Sequence, residues 1–331
     1  MNQTRRNFVA GALLATGGSS FIAREALAAD DASWPDRPVR LVVPLPPGGG
    51  ADLVARLIAE KLTARLSQSV VVENRAGGGT AIGAQLVANA KPDGYTLLLG
   101  TATSHAINVT MVKNLPYNAL KDFTPISLVA DLPLILVVHP SVPANTLPEL
   151  VAYVRSRPGK VNFASTGNGS SIQLAGEMLK IEGKLQMTHV PYQGASPALV
   201  DVLGGRVEMM FSTIPPVLQH VTSGKLKALC VASPKRTRLM PSLPSTAELG
   251  FPGVVANSWN GILAPANAPR QAVERLSKEL SVVMQMPDVI DKLKAAGVEP
   301  VSNTPQEFAQ YIQSEITRYA RVVQVSGATI D

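Results

Sequence analysis

Cysteine is nearly missing from this chain. Cys230 stands alone, so no internal disulfide can staple the fold. Its setting, "LKALCVAS", reads as a strand in which the thiol serves as a small buried hydrophobe. Charge is scarce too: 16% of the 331 residues are charged, and no run of five or more basic residues occurs. That pattern argues against a nucleic-acid-binding surface. The net charge of +6 is a mild field that favours anionic ligands. The four histidines (His105, His139, His189, His220) show no metal-binding spacing, and no Gly-x-Ser-x-Gly elbow occurs. No metal, cofactor or catalytic set is therefore expected, and His105 is the one histidine on an expected cleft loop. What the chain has is a hydrophobic fraction of 46%, which excludes disorder as the main state, and length for about two domains.

The N-terminus reads as an export signal. Arg5 and Arg6 precede Phe8 and a mild, glycine-bearing apolar run, and "ALA" at 26–28 has the small-x-small form of a cleavage site. The arginine pair points to the twin-arginine route, with the general route as the alternative. Removal of residues 1–28 would take away three basic residues (Arg5, Arg6, Arg24) and one acidic (Glu25), leaving +4. No later segment is long and apolar enough to span a membrane, so the expected location is periplasmic.

From Val39 onward, strand and helix patterns alternate. "VRLVV" precedes a helix over 52–66, "SVVVEN" precedes "RAGGGTAIGAQLVANA", and "YTLLLG" leads to "TATSHAIN". This alternation predicts a parallel-rich α/β sheet. "LILVVHP" (134–140) is expected to leave this first lobe, and a second series begins with Thr146 as a cap. Strands "VNFAS", "MTHVPY" and "VEMMFST" alternate with helices, the last strand ending at Pro215 and Pro216. "LKALCVAS" (226–233) is expected to return to lobe one, followed by amphipathic helices near 269–295 and 304–325. Thr304, Pro305 and Glu307 mark a helix start, with Phe308, Ile312 and Tyr319 on its apolar face. Two lobes with two crossovers imply a cleft with hinges. The expected division is 34–137 with 234–331 as lobe one, and 138–233 as lobe two.

Four glycine-bearing loops precede helices, at 46–52, 76–83, 165–171 and 193–197. The first is no P-loop, since neither Lys nor a hydroxyl follows the glycines, and Leu53 breaks the dinucleotide pattern. Helix N-termini leave backbone N–H groups unpaired, carry about half a positive charge, and can be approached closely over glycine. In open α/β sheets ligands bind beyond the carboxyl ends of the strands. Asp52, at the helix start, reads as a cap or dipole partner. Thr101, Thr103 and Ser104 offer hydroxyls after the third strand, and Ser165, Thr166 and Ser170 beside the third loop.

These residues carry a resemblance. "WPDRPVRLVVPLPPGGGADLVARLIAEKL", "VVVENRAGGGTAIGAQLVANAKPDGYTLLLGT", "PYQGASPALVDVLGGRVEMMFSTIPPVLQHVTSGKLKALCVAS" and "LPSTAELGFPGVVANSWNGILAP" resemble the Bug family, the extracytoplasmic solute receptors of tripartite tricarboxylate transporters. The match runs over nearly all of 34–331. It implies a type II periplasmic-binding-protein fold: two α/β lobes joined by a two-strand hinge, with the ligand cleft between them. It implies capture of a small carboxylate, with membrane permease subunits as partners, no nucleic acid, and a monomer. On this sequence the lobe-one contacts carry over to Leu45 through Gly49, including Gly48 and Gly49, and to Thr101 and Ser104. The lobe-two contacts carry over to Ser165, Thr166, Gly167 and Ser170, with Gly169 in the same loop, and to Gly194 and Ala195. Two departures stand out. Thr80 replaces the asparagine common in the family, and Pro46 and Pro47 remove backbone donors, leaving Gly48 and later residues as expected donors. The alternatives are a receptor that signals to a membrane sensor kinase and a secreted enzyme using the same cleft.

Overall fold

The computed structural model describes residues 34–328. Arg5, Arg6 and the expected cleavage site at 26–28 lie outside the described residues.

The chain opens with β1 (Val39–Val43), α1 (Gly50–Leu66), β2 (Val70–Asn74), α2 (Ala81–Ala88) and β3 (Thr96–Thr101). β1 buries Val39, Leu41 and Val43 on one face and Val42 on the other, as suits a parallel strand covered by helices. α1 presses Val54, Ala55, Ile58 and Leu62 into the core. Leu53 leaves that stripe and is 41% exposed, because the 3.6-residue period runs through 51, 54, 55 and 58. After β3, a π-turn at Thr103–Ile107 runs directly into α3 (Asn108–Met111).

β4 (Phe123–Val138) then enters both sheets. Its first part, Phe123–Pro133, pairs with β9 (Asn257–Pro265), and its second, Leu134–Val138, pairs with β7 (Met209–Thr213). The strand therefore begins at Phe123 rather than near 134, and changes partners between Pro133 and Leu134. The second series comprises α4 (Leu147–Arg155), β5 (Val161–Ser165), α5 (Ser171–Gly183), β6 (Met187–Pro191), α6 (Ala195–Leu203), β7, α7 (Ile214–Thr222) and β8 (Lys227–Val231). β7 ends at Thr213, just ahead of Pro215 and Pro216, which themselves open α7, since a helix's first turn needs no N–H from them. β8 pairs with β4 in the second sheet, so the return to the first lobe is made by 232–256. There, Ala232 N–H donates to Leu134 O (2.8 Å) and Ala256 N–H to Ala232 O (3.0 Å), so the two crossings run side by side.

After β9 come α8 (Arg270–Val283), α9 (Pro287–Ala295), β10 (Glu299–Pro300) and α10 (Pro305–Ser326). The stretch near 269–295 is thus two helices, broken at Met284–Met286. α10 starts with a full capping box, Thr304 and Glu307 each satisfying the other's backbone N–H. Phe308, Ile312 and Tyr319 are fully buried, and α10 packs on β4 and on α5.

The strand order is β2-β1-β3-β9-β4 in the first lobe and β4-β7-β5-β6 in the second, with β10 and β8 each beside β4. β2-β1-β3 and β6-β5-β7 are parallel ribbons of the same wiring. Each has its topological switch beyond the carboxyl ends of its central and third strands, which is where such sheets hold ligands. One apolar core, from Val42 and Phe308 to Phe163, continues between the lobes. Among the described residues no helix is long and apolar enough to cross a membrane.

Candidate ligand-binding site

At the first switch point, Leu45–Gly49 joins β1 to α1. Gly48 adopts φ +86°, a left-handed backbone that favours glycine. Asp52 shapes this loop. Its Oδ2 accepts from Gly48 N–H (3.0 Å) and from Arg56 Nε (2.9 Å), and its Oδ1 accepts from the Asn74 amide (3.0 Å). The same amide donates to Leu45 O (3.1 Å), and Arg56 reaches Asn74 Oδ1 (3.2 Å). Three side chains thus pin both ends of the loop. Burial would raise the Asp52 pKa, but bonds from Arg56, Gly48 and Asn74, and the Arg56 charge, hold it below the usual carboxylate value. The N-cap is Gly49, with no side-chain cap. Asp52 is therefore a loop clamp, and the Gly48 donor expected for a ligand is already occupied. The first-turn N–H groups of Gly50 and Ala51 find no acceptor among the described residues.

Thr101 and Ser104 close on each other. Thr101 N–H donates to Ser104 Oγ (2.9 Å), Ser104 N–H donates to Thr101 Oγ1 (3.1 Å), and both residues are buried. Ser104 Oγ also meets His105 Nδ1 (2.9 Å). His105 is buried edge-on to Phe123, and burial pushes its pKa down to about 3, so the ring is neutral. It is a core histidine, not a cleft one.

The second glycine loop runs Gly77, Gly78, Gly79 and Thr80, all at positive φ (128°, 55°, 57° and 78°). Asn108 Nδ2 ties it down through Gly79 O (2.8 Å). Thr80, where the family resemblance leads one to expect asparagine, sits in the left-handed region that an asparagine tolerates better than a β-branched residue.

The second lobe repeats the first. Gly169 (φ +75°) donates its N–H to Gln173 Oε1 (2.7 Å), the residue four positions on, as Gly48 does to Asp52. Ser170 is the N-cap of α5: its Oγ accepts from Gln173 N–H (3.1 Å) and donates to Gly167 O (2.8 Å). Fully buried Ser165 Oγ lies 2.6 Å from His189 Nε2 and accepts from Gly167 N–H (3.1 Å). His189 stacks on Phe163, and burial followed by the Lys180 charge lowers its pKa to about 4. A serine on a neutral histidine invites a nucleophile reading. Here the serine is sealed and spends its oxygen on the loop, and His189 Nδ1 has no carboxylate partner among the described residues. Thr166, Gly194 and Ala195 remain half-buried at the loop tips. Gly194, at φ +112°, is the N-cap of α6, and Ala195 is its first residue. Thr213, at the end of β7, occupies the place in this lobe that Thr101 holds in the first. Asn74, Gln173, His189 and Thr213 were not singled out from the sequence. A glutamine or aspartate four residues after a loop glycine was the one readable cue.

Comparison with known proteins identifies this arrangement. The family model described as tripartite tricarboxylate transporter family receptor matches residues 54–328. The chain belongs to that receptor family. Protein BugT of Bordetella pertussis is 38% identical over 331 residues, all of both chains. Among solved structures, R. palustris Rpa4515 with adipate is 34% identical at a TM-score of 0.84, covering 89% of the receptor and 99% of that chain. MatC from Rhodopseudomonas palustris with bound malate is 34% identical at 0.79, covering 88% and 100%. The receptor thus shares the two-lobed fold of periplasmic binding proteins, and its solved relatives include one with adipate and one with bound malate.

Proposed function

We propose that this receptor is exported to the periplasm, captures a small di- or tricarboxylate or related organic acid between its lobes, and presents it to membrane permease subunits of a tripartite tricarboxylate transporter. One observation carries the reading: two lobes of identical wiring bring glycine loops to equivalent switch points, with unpaired first-turn N–H groups of α1 at the first. The relatives solved with adipate and malate support the ligand class.

In this reading Leu45, Gly49 and the α1 first turn serve lobe one, while Thr166, Gly167, Gly194 and Ala195 serve lobe two. Gly48, Gly169, Ser165, Ser170, Thr101 and Ser104 hold those loops in shape. The moving bodies are 34–137 with 234–331, and 138–233. The change of β4 partners at Pro133 supports a hinge beside the first boundary.

Micromolar capture requires about −8 kcal/mol. Hydrogen bonds to a charged group contribute about 1.5–3 kcal/mol each, so roughly four to six suffice after association costs. No arginine clamp is needed. The chemistry is binding without turnover. Calorimetry with a panel including adipate and malate, plus mass spectrometry of ligand carried through native purification, tests it. Saturable binding of an unchanged dicarboxylate is expected. A ligand recovered chemically altered, or no binding by any carboxylate in the panel, would overturn it.

A further inference from the structure

The hinge holds a half-buried polar cluster that ligand capture leaves unexplained. Asn257 lies opposite Pro133, at the point where β4 changes partners. Its amide nitrogen donates to Asp131 Oδ1 (2.6 Å) and to Tyr311 Oη (3.2 Å). Its Oδ1 accepts from Arg318 (2.9 Å), and its backbone O from Tyr319 Oη (3.0 Å). Arg318 also donates to Val255 O (2.7 Å) and to Glu315 Oε2 (2.6 Å). α10 thereby grips the return crossing just where it meets the outgoing strand.

The charges around Asp131 come from every neighbouring element. β10 contributes Glu299, directly opposite Asp131 in the antiparallel register. α10 contributes Glu315, Arg318 and Tyr311. The return segment contributes Lys235, Arg236 and Thr237, the last donating to Glu299 (2.5 Å). All but Tyr311 border a cavity of about 360 Å³ that also touches Asp131, Pro133, Val231 and Asn257. The cavity therefore spans both hinge crossings.

We propose that this cluster is a proton-sensitive pivot, in which gain or loss of a proton at Asp131 shifts the balance between open and closed lobes. The reason is geometric. Asp131, Asn257 and Arg318 belong to the first lobe, and Arg318 holds Val255 O beside Ala256, whose N–H donates to Ala232 O, so this network fixes the return crossing about which the lobes turn. An ionised Asp131 faces Glu299 across the ladder and Glu315 on α10, with half-buried Arg318 as its cationic neighbour. Ionisation draws water into the cavity and loosens the grip of α10; protonation restores it. Burial, with the nearby Glu299 and Glu315 charges, lifts the Asp131 pKa to about 6 against the bond from Asn257 and the Arg318 charge. The switch thus lies within the range an extracytoplasmic protein meets. Its use in ligand capture rests on the receptor reading above; the pivot itself is testable without ligand.

The built-in probe is Trp259, whose indole N–H donates to Glu315 Oε2 (3.0 Å). In a Trp34→Phe background, Trp259 emission of the ligand-free protein should change sigmoidally with pH, with its midpoint near 6. Small-angle scattering should give a larger radius of gyration above that midpoint than below it. Asp131→Asn should abolish both transitions. Glu299→Gln, which removes the opposing carboxylate while keeping the fold, should move both midpoints to lower pH. With adipate as probe, the affinity ratio of wild type to Asp131→Asn should change several-fold between pH 5.5 and 7.5, the ligand's own ionisation cancelling. Flat emission and scattering over that range, or transitions unaltered by both substitutions, would overturn the pivot. Loss of adipate binding with both transitions intact would instead count against the carboxylate reading and leave the pivot standing.

Discussion

Asp52→Asn separates two roles that a helix-start aspartate can have. In this structure Asp52 accepts from Gly48 N–H, Asn74 and Arg56 at 2.9–3.0 Å, and so sets the path of the loop ahead of α1. Hydrogen bonds to a charged acceptor contribute about 1.5–3 kcal/mol, against about 0.5–1.5 for neutral pairs. Asparagine keeps the shape but neutralises the acceptor, and its amide nitrogen cannot accept from one of the two sides. The Gly48 and Asn74 bonds together should weaken by about 1–3 kcal/mol; the exposed Arg56 is left out of that figure. If loop shape positions the first-turn donors, carboxylate affinity should fall by about tenfold for each 1.4 kcal/mol that reaches the site. If Asp52 is only a dipole partner, the sign reverses, because removing a negative charge beside a bound carboxylate favours binding by Coulomb's law. Calorimetry with adipate or malate, beside urea unfolding of the ligand-free protein, reads both. Equal or tighter binding by a folded Asp52→Asn protein would refute the clamp. The linkage is consistent: a carboxyl held below its ordinary value stabilises above pH 3.8, and loses that contribution as pH falls through the lowered folded value.

Other outcomes follow from the same geometry. Gly48→Val and Gly169→Val place a branched residue at φ +86° and +75°, costing about 1–2 kcal/mol or more of backbone strain. A Cβ at Gly48 meets nothing within 4 Å, so lost carboxylate affinity there would report loop shape and not a clash; unchanged affinity in either folded variant would deny its loop a role. Ser170→Ala should lower unfolding free energy by about 1 kcal/mol, as loss of an N-cap does, with affinity changed far less; the reverse pattern would make the hydroxyl a ligand contact. His105→Asn should be less stable than wild type near pH 7, and the gap should narrow on acidification. A histidine whose folded pKa is depressed to about 3 destabilises the fold as pH falls below 6.5, by about 1.4 kcal/mol per unit. A gap constant from pH 7 to 4 would contradict the neutral, buried ring.

Much of the architecture could be read in the chain because its signals are local. The 3.6-residue spacing of Phe308, Ile312 and Tyr319 and the Thr304–Glu307 pair announce α10, and glycine before an apolar stripe announces α1 and α5. What escaped depends on partners far along the chain. Nothing near Leu134 says that β4 starts at Phe123 and changes partners midway, because that is decided by β9 and β7. Pro215 and Pro216 look like a stop until the chain beyond them is seen to turn helical. The site loops were visible as glycine runs, but their supports were not: Asp52 meets Asn74 across 22 residues, and Ser165 meets His189 across 24. A loop glycine's N–H reads as free for a ligand until the side chain four residues on is seen to claim it.

The place of β9 between β3 and β4 has a consequence for biosynthesis. A ribosome delivers β1, β2, β3 and β4 long before β9, so the first lobe's sheet stays in two pieces until residue 265 has emerged. Between β4 and β9 the whole second lobe, through β8 at Val231, has already been made and can close its own sheet. The lobe that starts the polypeptide is thus the last to be completed. A nascent chain stalled before β9 exposes the unpaired edges of β3 and β4, the kind of surface that chaperones shield.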